Sequence, residues 1–594
     1  MDNTWLEYSV IAGYLLLLIA VSFVFKRLST NKSDYFRSGC RGKWWLVGAS
    51  CFMSCFSAWT FTGAAGVAFE AGWSAMIIFL ANVVAFLVNA AFLAPWFRQL
   101  RVISPPEVIR NRFGEKTRQF YAWITVLTQM CFSALHLYGL AIFSSAVFGY
   151  DVQVIIFVIG FVVLFYSMLG GSWGIMASDF IQSSILMPMT ILLAVLCMIK
   201  LGGIDGLFSK IKEAGLSADY KMFNEPQRFN SNYTYFWAFI ILVKNVTAFN
   251  SLTNAQRFFS VKTGNEARKA ALLTAVLMFI GSLIWFIPPM TARLMFPEAV
   301  NSIAIAKPAE ASYAIAGMNL LPVGLTGLMV VAMFAATTSS MDSGLNRNSA
   351  VITNDIFPAV CRALRIKEPD EDSRVLLLVG RITTGLMGLM VMSIAYYFSI
   401  KDSKGIFQYM LDISAMLMVP LLTPMLLGLL VQRVPHWSCI FSVIVGFIVS
   451  AMGFFSGSES SLIQSVPFLK EPWLWQTKTA ANFAASISAF YFTKLFWKSA
   501  GQAYREQVKE FFVRMKTPID FAREVGVGND SRQSRMVGRI CLVIGAAVCF
   551  LMLLPNPWSF FGRFGILFVG GFVAAIGLLL ISTSGESADD SVVK

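Results

Sequence analysis

Apolar runs of about 20 residues, each long enough to cross the hydrocarbon core of a bilayer, recur along this whole chain. Fifteen can be marked in its 594 residues, the first near 5–25 and the last near 558–582. Backbone inside lipid must satisfy its own N–H and C=O groups, so runs of this length are read as helices. The expected class is therefore an all-α polytopic membrane protein with about 15 transmembrane helices. Composition agrees: 57% of residues are hydrophobic and 13% are charged, far from the balance of a soluble domain.

The net charge of +14 is a statement about topology rather than about nucleic acid. Alternate loops (26–43, 98–118, 257–269, 347–374, 431–436 and 494–535) carry 31 lysines and arginines, against 10 in the loops opposite. The positive-inside rule puts the first set in the cytosol, with the N-terminus outside and the C-terminus cytosolic. The opening MDNTWLEYSV has two acids and no basic run, which fits an N-out first helix better than a cleaved signal peptide. The lipid bilayer is the expected surrounding, in a plasma membrane that we read as a bacterial inner membrane.

Enzymatic chemistry finds no residues. There are two histidines, His136 and His436, and nine scattered cysteines without metal-ligand spacing. No phosphate loop or nucleophile triad is present. The longest cytosolic stretch, Lys494–Arg535, is too short for a module of its own.

Two spans interrupt their own apolar pattern. ASCFMSCFSAWTFTGAAG (Ala49–Gly66) and KNVTAFNSLTN (Lys244–Asn254) place Ser, Thr, Asn and Gly where lipid favours Leu and Val. Each opens a block of five spans, 44–200 and 234–430, and the blocks enter the membrane from opposite sides. Inverted five-helix repeats with a broken leading helix put free carbonyls and half-helix ends at the midplane, as in many secondary transporters. The other expected divisions are a peripheral N-terminal helix with its cytosolic loop (1–43), an extracytosolic loop (201–233) and two peripheral helices (431–498). A basic cytosolic segment (499–535) and two C-terminal helices with a tail (536–594) follow. In Val331–Phe357, VAMFAATTSSMDSGLNRNSAVITNDIF, Ala336, Ser339, Ser340 and Ser343 fall at i, i+3, i+4 and i+7. One stripe of that helix thus carries three hydroxyls. Close helix packing and oxygen ligands for a hard cation are both open readings.

Four motifs now converge: ISPPEVIRNRFG (Ile103–Gly114), GGSWGIMASDFIQ (Gly170–Gln182), QRFFSVKTGNEARKA (Gln256–Ala270) and AATTSSMDSGLNRNSAVITNDIF (Ala335–Phe357). In this order and spacing they resemble the sodium:solute symporter family over about residues 5–500, with the last two helices an extension. The resemblance implies a leucine-transporter-like fold and a Na+ site between the first and eighth core helices. On this sequence its ligands would be the carbonyls of Met53, Phe56 and Ala336 and the hydroxyls of Ser339 and Ser340. Neutral ligands suit a monovalent ion that must also leave. Asp179, and Asp342 with Ser343, stand where some relatives hold a second sodium. The alternative is an ion pair gating the cytosolic mouth, where Arg347 is near.

Among sugar-transporting relatives a glutamate on the second core helix and a lysine on the seventh serve the solute. Here Phe79 stands at the first position and the seventh helix has no lysine, so a galactose-type site is not expected. Polar candidates at midplane depth are Thr60, Asn82, His136, Lys244, Asn250, Ser251, Gln408 and Asp412. Lys244 must face a cavity or a partner, either an anionic solute group or an acid such as Asp412. The expected activity is a symporter importing a small polar organic solute, a sugar or sugar acid, with Na+. A carboxylate or amino acid is the alternative solute. A transporter-like membrane sensor is the alternative class, and it would need an output module that 494–535 cannot form.

Overall fold

The computed structural model describes residues 9–13, 40–102, 104–167, 172–322, 325–367, 374–401, 405–524, 530–553 and 560–584. Among them nine helices are long and apolar enough to cross a membrane, and a tenth span is the bent pair Phe229–Phe249 and Leu252–Ser260. The spans expected at 44–69, 152–170, 322–346 and 473–493 correspond to Trp44–Ser54 and its continuation, Val152–Ser167, Leu325–Val351 and Trp475–Phe492. The run at 5–25 lies outside the described residues apart from 9–13.

Fourteen helices position the site and its supports. The first half contributes α1 (Trp44–Ser54), α2 (Ala58–Phe61), α3 (Gly63–Ala71), α4 (Met76–Val88), α5 (Glu115–Phe148) and α6 (Ser172–Leu201). The second contributes α7 (Tyr235–Phe249), α8 (Leu252–Ala255), α9 (Gly264–Ile284), α10 (Leu325–Val351) and α11 (Ile406–Ile413). Peripheral to these are α12 (Gln502–Lys516), α13 (Asp530–Phe550) and α14 (Phe560–Ser582).

Lipid offers no hydrophobic drive for helices to meet, so close approach of small residues holds them. A Cβ at Gly48 on α1 would lie 2.9 Å from the Ala270 carbonyl of α9, and Thr274 bonds the Gly48 carbonyl at 3.0 Å. The same device joins α13 to α14, where a Cβ at Gly545 would lie 2.5 Å from the Ala574 nitrogen. The face bearing the basic loops is closed by α12, which buries Val508, Phe511, Phe512 and Met515. There the buried Arg112 donates to the Gly428 and Val431 carbonyls at 3.0 and 2.9 Å and to the Tyr504 hydroxyl at 2.9 Å. Arg101 reaches across to Glu524 at 2.8 Å and the Pro518 carbonyl at 3.0 Å. The central core is aromatic, with Phe52, Phe56, Phe61, Trp285 and Tyr313 all buried.

Candidate functional site

The sequence break in the first core helix is a real break. After Ser54 the Cys55 and Phe56 N–H groups fall back on the Phe52 and Met53 carbonyls, each at 3.1 Å, three residues back instead of four. Ser57 is then fully extended (φ −160°, ψ 175°) before α2 begins. Carbonyls at such an end lack helical partners and must find others. α10 supplies them. Ser340 Oγ donates to the Phe56 carbonyl at 2.8 Å and lies 3.4 Å from the Ala336 carbonyl of its own helix. Thr337 Oγ1 accepts from the Ala58 N–H at 2.9 Å. Thr337 and Ser340 are three apart, so one face of α10 serves both sides of the break. Phe56, Ala336, Thr337, Ser339 and Ser340 are all buried, as is Met53 within the break's first half.

The hydrogen of the Ser339 hydroxyl is held by another helix. Its hydroxyl donates to one oxygen of the buried Asp179 on α6, and Ser50 of α1 donates to the other. Arg257, in the turn after α8, places Nη2 3.3 Å from that second oxygen. Taking a carboxylate out of water is costly, and a cation plus two hydroxyl donors offset the cost. Arg347, the nearer arginine in sequence, instead bonds Gln256 at 3.1 Å. The side chains of Asp342 and Ser343 lie outside the described residues.

The second broken span bends by 49° between α7 and α8. Asn250 and Ser251 form that bend. Asn250 Nδ2 donates to the Ala85 carbonyl at 3.1 Å and the Val246 carbonyl at 2.8 Å, and Ser251 to the Ala248 carbonyl at 2.8 Å. Asn82 accepts from Asn245 at 2.6 Å, tying α4 to α7. Thr60 is buried on α2.

Four polar groups on the core helices lack such partners. Lys244 is half-buried on α7 and makes no hydrogen bond or ion pair among the described residues; the pairing with Asp412 is not formed. His136 Nδ1, Trp59 Nε1 and Trp285 Nε1 are buried without a hydrogen-bond partner among the described residues. Phe79 packs among Trp59, Trp285 and Phe286 at ring distances of 6.4, 5.4 and 5.1 Å.

Gln408 and Asp412 are bonded to each other at 2.9 Å near the start of the span Ile406–Leu430. Because α11 begins only at Ile406, both fall in its first two turns. They line a cavity of about 460 Å³ together with residues of the 229–233 loop. Between that cavity and α2 the Phe407 and Trp59 rings stack at 5.8 Å and 11°.

Ser50, Thr337, Arg257 and Asn245 were not singled out by sequence. Ser50 lies one turn before Met53 and Thr337 within the hydroxyl stretch, so the helical spacing pointed at both. Arg257 lies in the motif Gln256–Ala270 and Asn245 in the interrupted run Lys244–Asn254, but neither stretch shows which residue it meets.

Residues 35–446 match the model of the sodium:solute symporter family. The sodium/sialic acid symporter NanT of Aliivibrio fischeri is 26% identical over 459 residues, covering 74% of this chain and 86% of that protein. The sodium/sialic acid symporter SiaT of Proteus mirabilis is 25% identical, covering 75% and 89%. The sodium/glucose cotransporter 2 of Rattus norvegicus is 24% identical, covering 76% and 72%. A solved structure of a Na+-coupled sialic acid symporter, in a substrate-bound outward-open state, superposes with TM-score 0.67 at 20% identity, covering 84% of this chain and 99% of that one. The nucleobase-cation-symport transporter Mhp1 in a closed conformation gives 0.53 at 14%, covering 81% and 99%. Both superpositions establish the leucine-transporter-like fold.

Proposed function

Because the chain belongs to the sodium:solute symporter family, we propose that it couples sodium entry to the import of a sugar acid. Sodium is bound at the break between α1 and α2. The observation that carries the ion site is the contact of Ser340 Oγ with the Phe56 carbonyl, 2.8 Å across that break. The hydroxyl gives its hydrogen to the carbonyl. Turning that hydrogen away leaves two oxygens facing one point, which is what a cation requires. Ala336 and Met53 add carbonyls, and Ser339 adds lone pairs while its hydrogen stays on Asp179. A sodium ion held there joins the break to α10 and so favours one set of conformations. Solute and ion then raise each other's affinity, because linkage is reciprocal.

Asp179 reads as a gate at the cytosolic mouth. Arg257 supplies the positive charge that a second sodium would bring. The basic face is the cytosolic one, the N-terminus is outside, and the repeats are 44–200 and 234–430.

Lys244 directs the solute class. A half-buried ammonium without a partner among the described residues gains a counter-charge from a carboxylate, and the indole N–H groups of Trp59 and Trp285, also unpartnered among them, can bond hydroxyls. A neutral sugar leaves Lys244 uncompensated. Sialic acids, carried by the named bacterial relatives, are sugar acids. Purified protein in proteoliposomes should accumulate N-acetylneuraminate or glucuronate under an inward sodium gradient, and not with choline in place of sodium. Equal uptake in choline refutes coupling, and preferential uptake of glucose or inositol refutes the acid.

A further inference from the structure

The loop between α6 and α7 holds a helix of its own, Gly203–Glu213. Its apolar residues Ile204, Leu207, Phe208 and Ile211 fall at i, i+3, i+4 and i+7, which makes one stripe. That stripe is divided lengthwise. Leu207 and Ile211 are buried in a cluster packed against Trp73, Leu294 and Met295. Ile204 and Phe208 are 67% and 55% exposed. Ser209 and Glu213, also exposed, occupy the opposite side. The chain reaches this helix from the lipid face of α6, whose last turns expose Val195 and Ile199 at 49% and 69%. Where that span ends at Leu201, two left-handed glycines, Gly202 and Gly203 at φ +89° and +80°, turn the chain. The helix therefore starts at the edge of the hydrocarbon. It is also tied to α3. The Phe208 ring lies 6.2 Å from Trp73, and the segment that follows the helix returns over the end of α3. There Tyr220 donates to the Phe69 carbonyl at 2.9 Å, its ring fills the space that a Cβ at Gly72 would need, and Ser74 donates to the Lys221 carbonyl at 2.9 Å.

We infer that Gly203–Glu213 is an interfacial anchor. Acyl chains of the adjoining leaflet cover Ile204 and Phe208, and the helix thereby fastens the end of α3, the second half of the broken first span, to the membrane surface. Lipid is the occupant because the exposed half of the stripe continues the row of Val195 and Ile199 on a membrane-crossing span. A helix with a narrow apolar stripe and a charged opposite face lies in the plane of the interface. Lys212, exposed and one turn past Phe208 on the same side, is placed to reach a headgroup phosphate with its stem along apolar chains. The charge balance sets this loop opposite the basic loops, so the leaflet is the extracytosolic one. Any tilt of α3 has to carry the anchored helix with it, since Phe69, Gly72 and Trp73 are all held by this segment. The inference involves neither ion nor solute and stands apart from the sugar-acid reading.

The test uses full-length protein in nanodiscs of phosphatidylethanolamine and phosphatidylglycerol. Photoreactive p-benzoylphenylalanine is placed in turn at Ile204, Phe208, Ser209 and Glu213. Illumination should add the mass of one intact phospholipid at the first two positions and not at the last two. No lipid adduct at Ile204 or Phe208, or equal adducts at all four positions, overturns the docking. A cross-linked dimer through Ile204 or Phe208 overturns it in favour of a second copy of this chain. The fastening is read by hydrogen exchange on I204S/F208S. Exchange over residues 66–76 and 203–224 should rise about tenfold, the loss expected when two large side chains give up part of their apolar contact. Exchange over 502–516, on α12, should match wild type, which controls for folding. Should the double variant misfold, F208S alone serves. Unchanged exchange over 66–76 overturns the fastening.

Discussion

Ser340→Ala isolates the sodium site from everything else in the fold. In the empty protein the substitution removes the 2.8 Å bond to the Phe56 carbonyl, a loss of about 0.5–1.5 kcal/mol. In the loaded protein it removes one oxygen from the cation, and interactions with charged groups are stronger, about 1.5–3 kcal/mol. The difference, about 1.5 kcal/mol, falls on sodium binding and corresponds to about a tenfold weaker affinity. The assay is sodium activation of solute uptake in proteoliposomes, backed by sodium-dependent thermal stabilisation of the purified protein. Half-saturation for sodium should rise about tenfold, and Ser340→Thr, which keeps the hydroxyl, should recover most of the loss. Thr337→Ala serves as the contrast. It unpairs the Ala58 N–H and should lower stability while moving sodium activation little. Uptake by Ser340→Ala with an unchanged sodium half-saturation would refute the assignment.

The remaining predictions concern charges. Arg257→Gln leaves the buried Asp179 without its cation, so the melting temperature should fall by an amount matching about 3 kcal/mol. Adding Asp179→Asn should restore part of it, and a purely additive double variant would count against the ion pair. Lys244→Met should abolish sodium-dependent binding of a sugar acid yet raise stability in the absence of solute, since an unpartnered ammonium leaves the interior; a drop in unliganded melting temperature argues for a structural role. Hydrogen bonds from Arg101 are the first cause holding the Glu524 carboxyl below its usual range. A depressed carboxyl stabilises the contact above its ordinary value and loses that contribution as pH falls through the lowered one. Hydrogen exchange over residues 514–524, corrected for the intrinsic pH effect, should therefore rise below the usual glutamate range. Arg101→Ala should exchange fast at every pH, and protection equal to wild type would refute the clamp.

The parts of this fold legible in sequence are those where one helix carries its own signal. Apolar length gave the spans, and Ser, Thr and Asn inside Ala49–Gly66 and Lys244–Asn254 marked both breaks before any coordinate did. Spacing gave the hydroxyl stripe. Depth and pairing were not legible in the same way. Gln408 and Asp412 fall in the first two turns of the span Ile406–Leu430, just after Gly405 at φ +81°, and the apolar run, although it marks that start, does not say what the two side chains face. Asp179 and Arg257 are far apart in the chain and meet where the turn after α8 comes beside α6. No periodicity within either segment encodes their meeting.

The stripe itself carries one further consequence. Successive residues of a helix point about 100° apart, so Thr337, Ser339 and Ser340 cannot all face one partner. Thr337 and Ser340 share a face and hold the two sides of the break, while Ser339 turns to Asp179 and its arginine. A single turn of α10 thus touches the proposed sodium site on one side and the proposed cytosolic gate on the other. Any displacement of that turn when sodium binds or leaves acts on the Ser339–Asp179 bond directly, with no intervening side chain. Coupling between ion and gate therefore requires only that α10 move as a rigid rod, which its unbroken hydrogen bonding from Leu325 to Val351 permits.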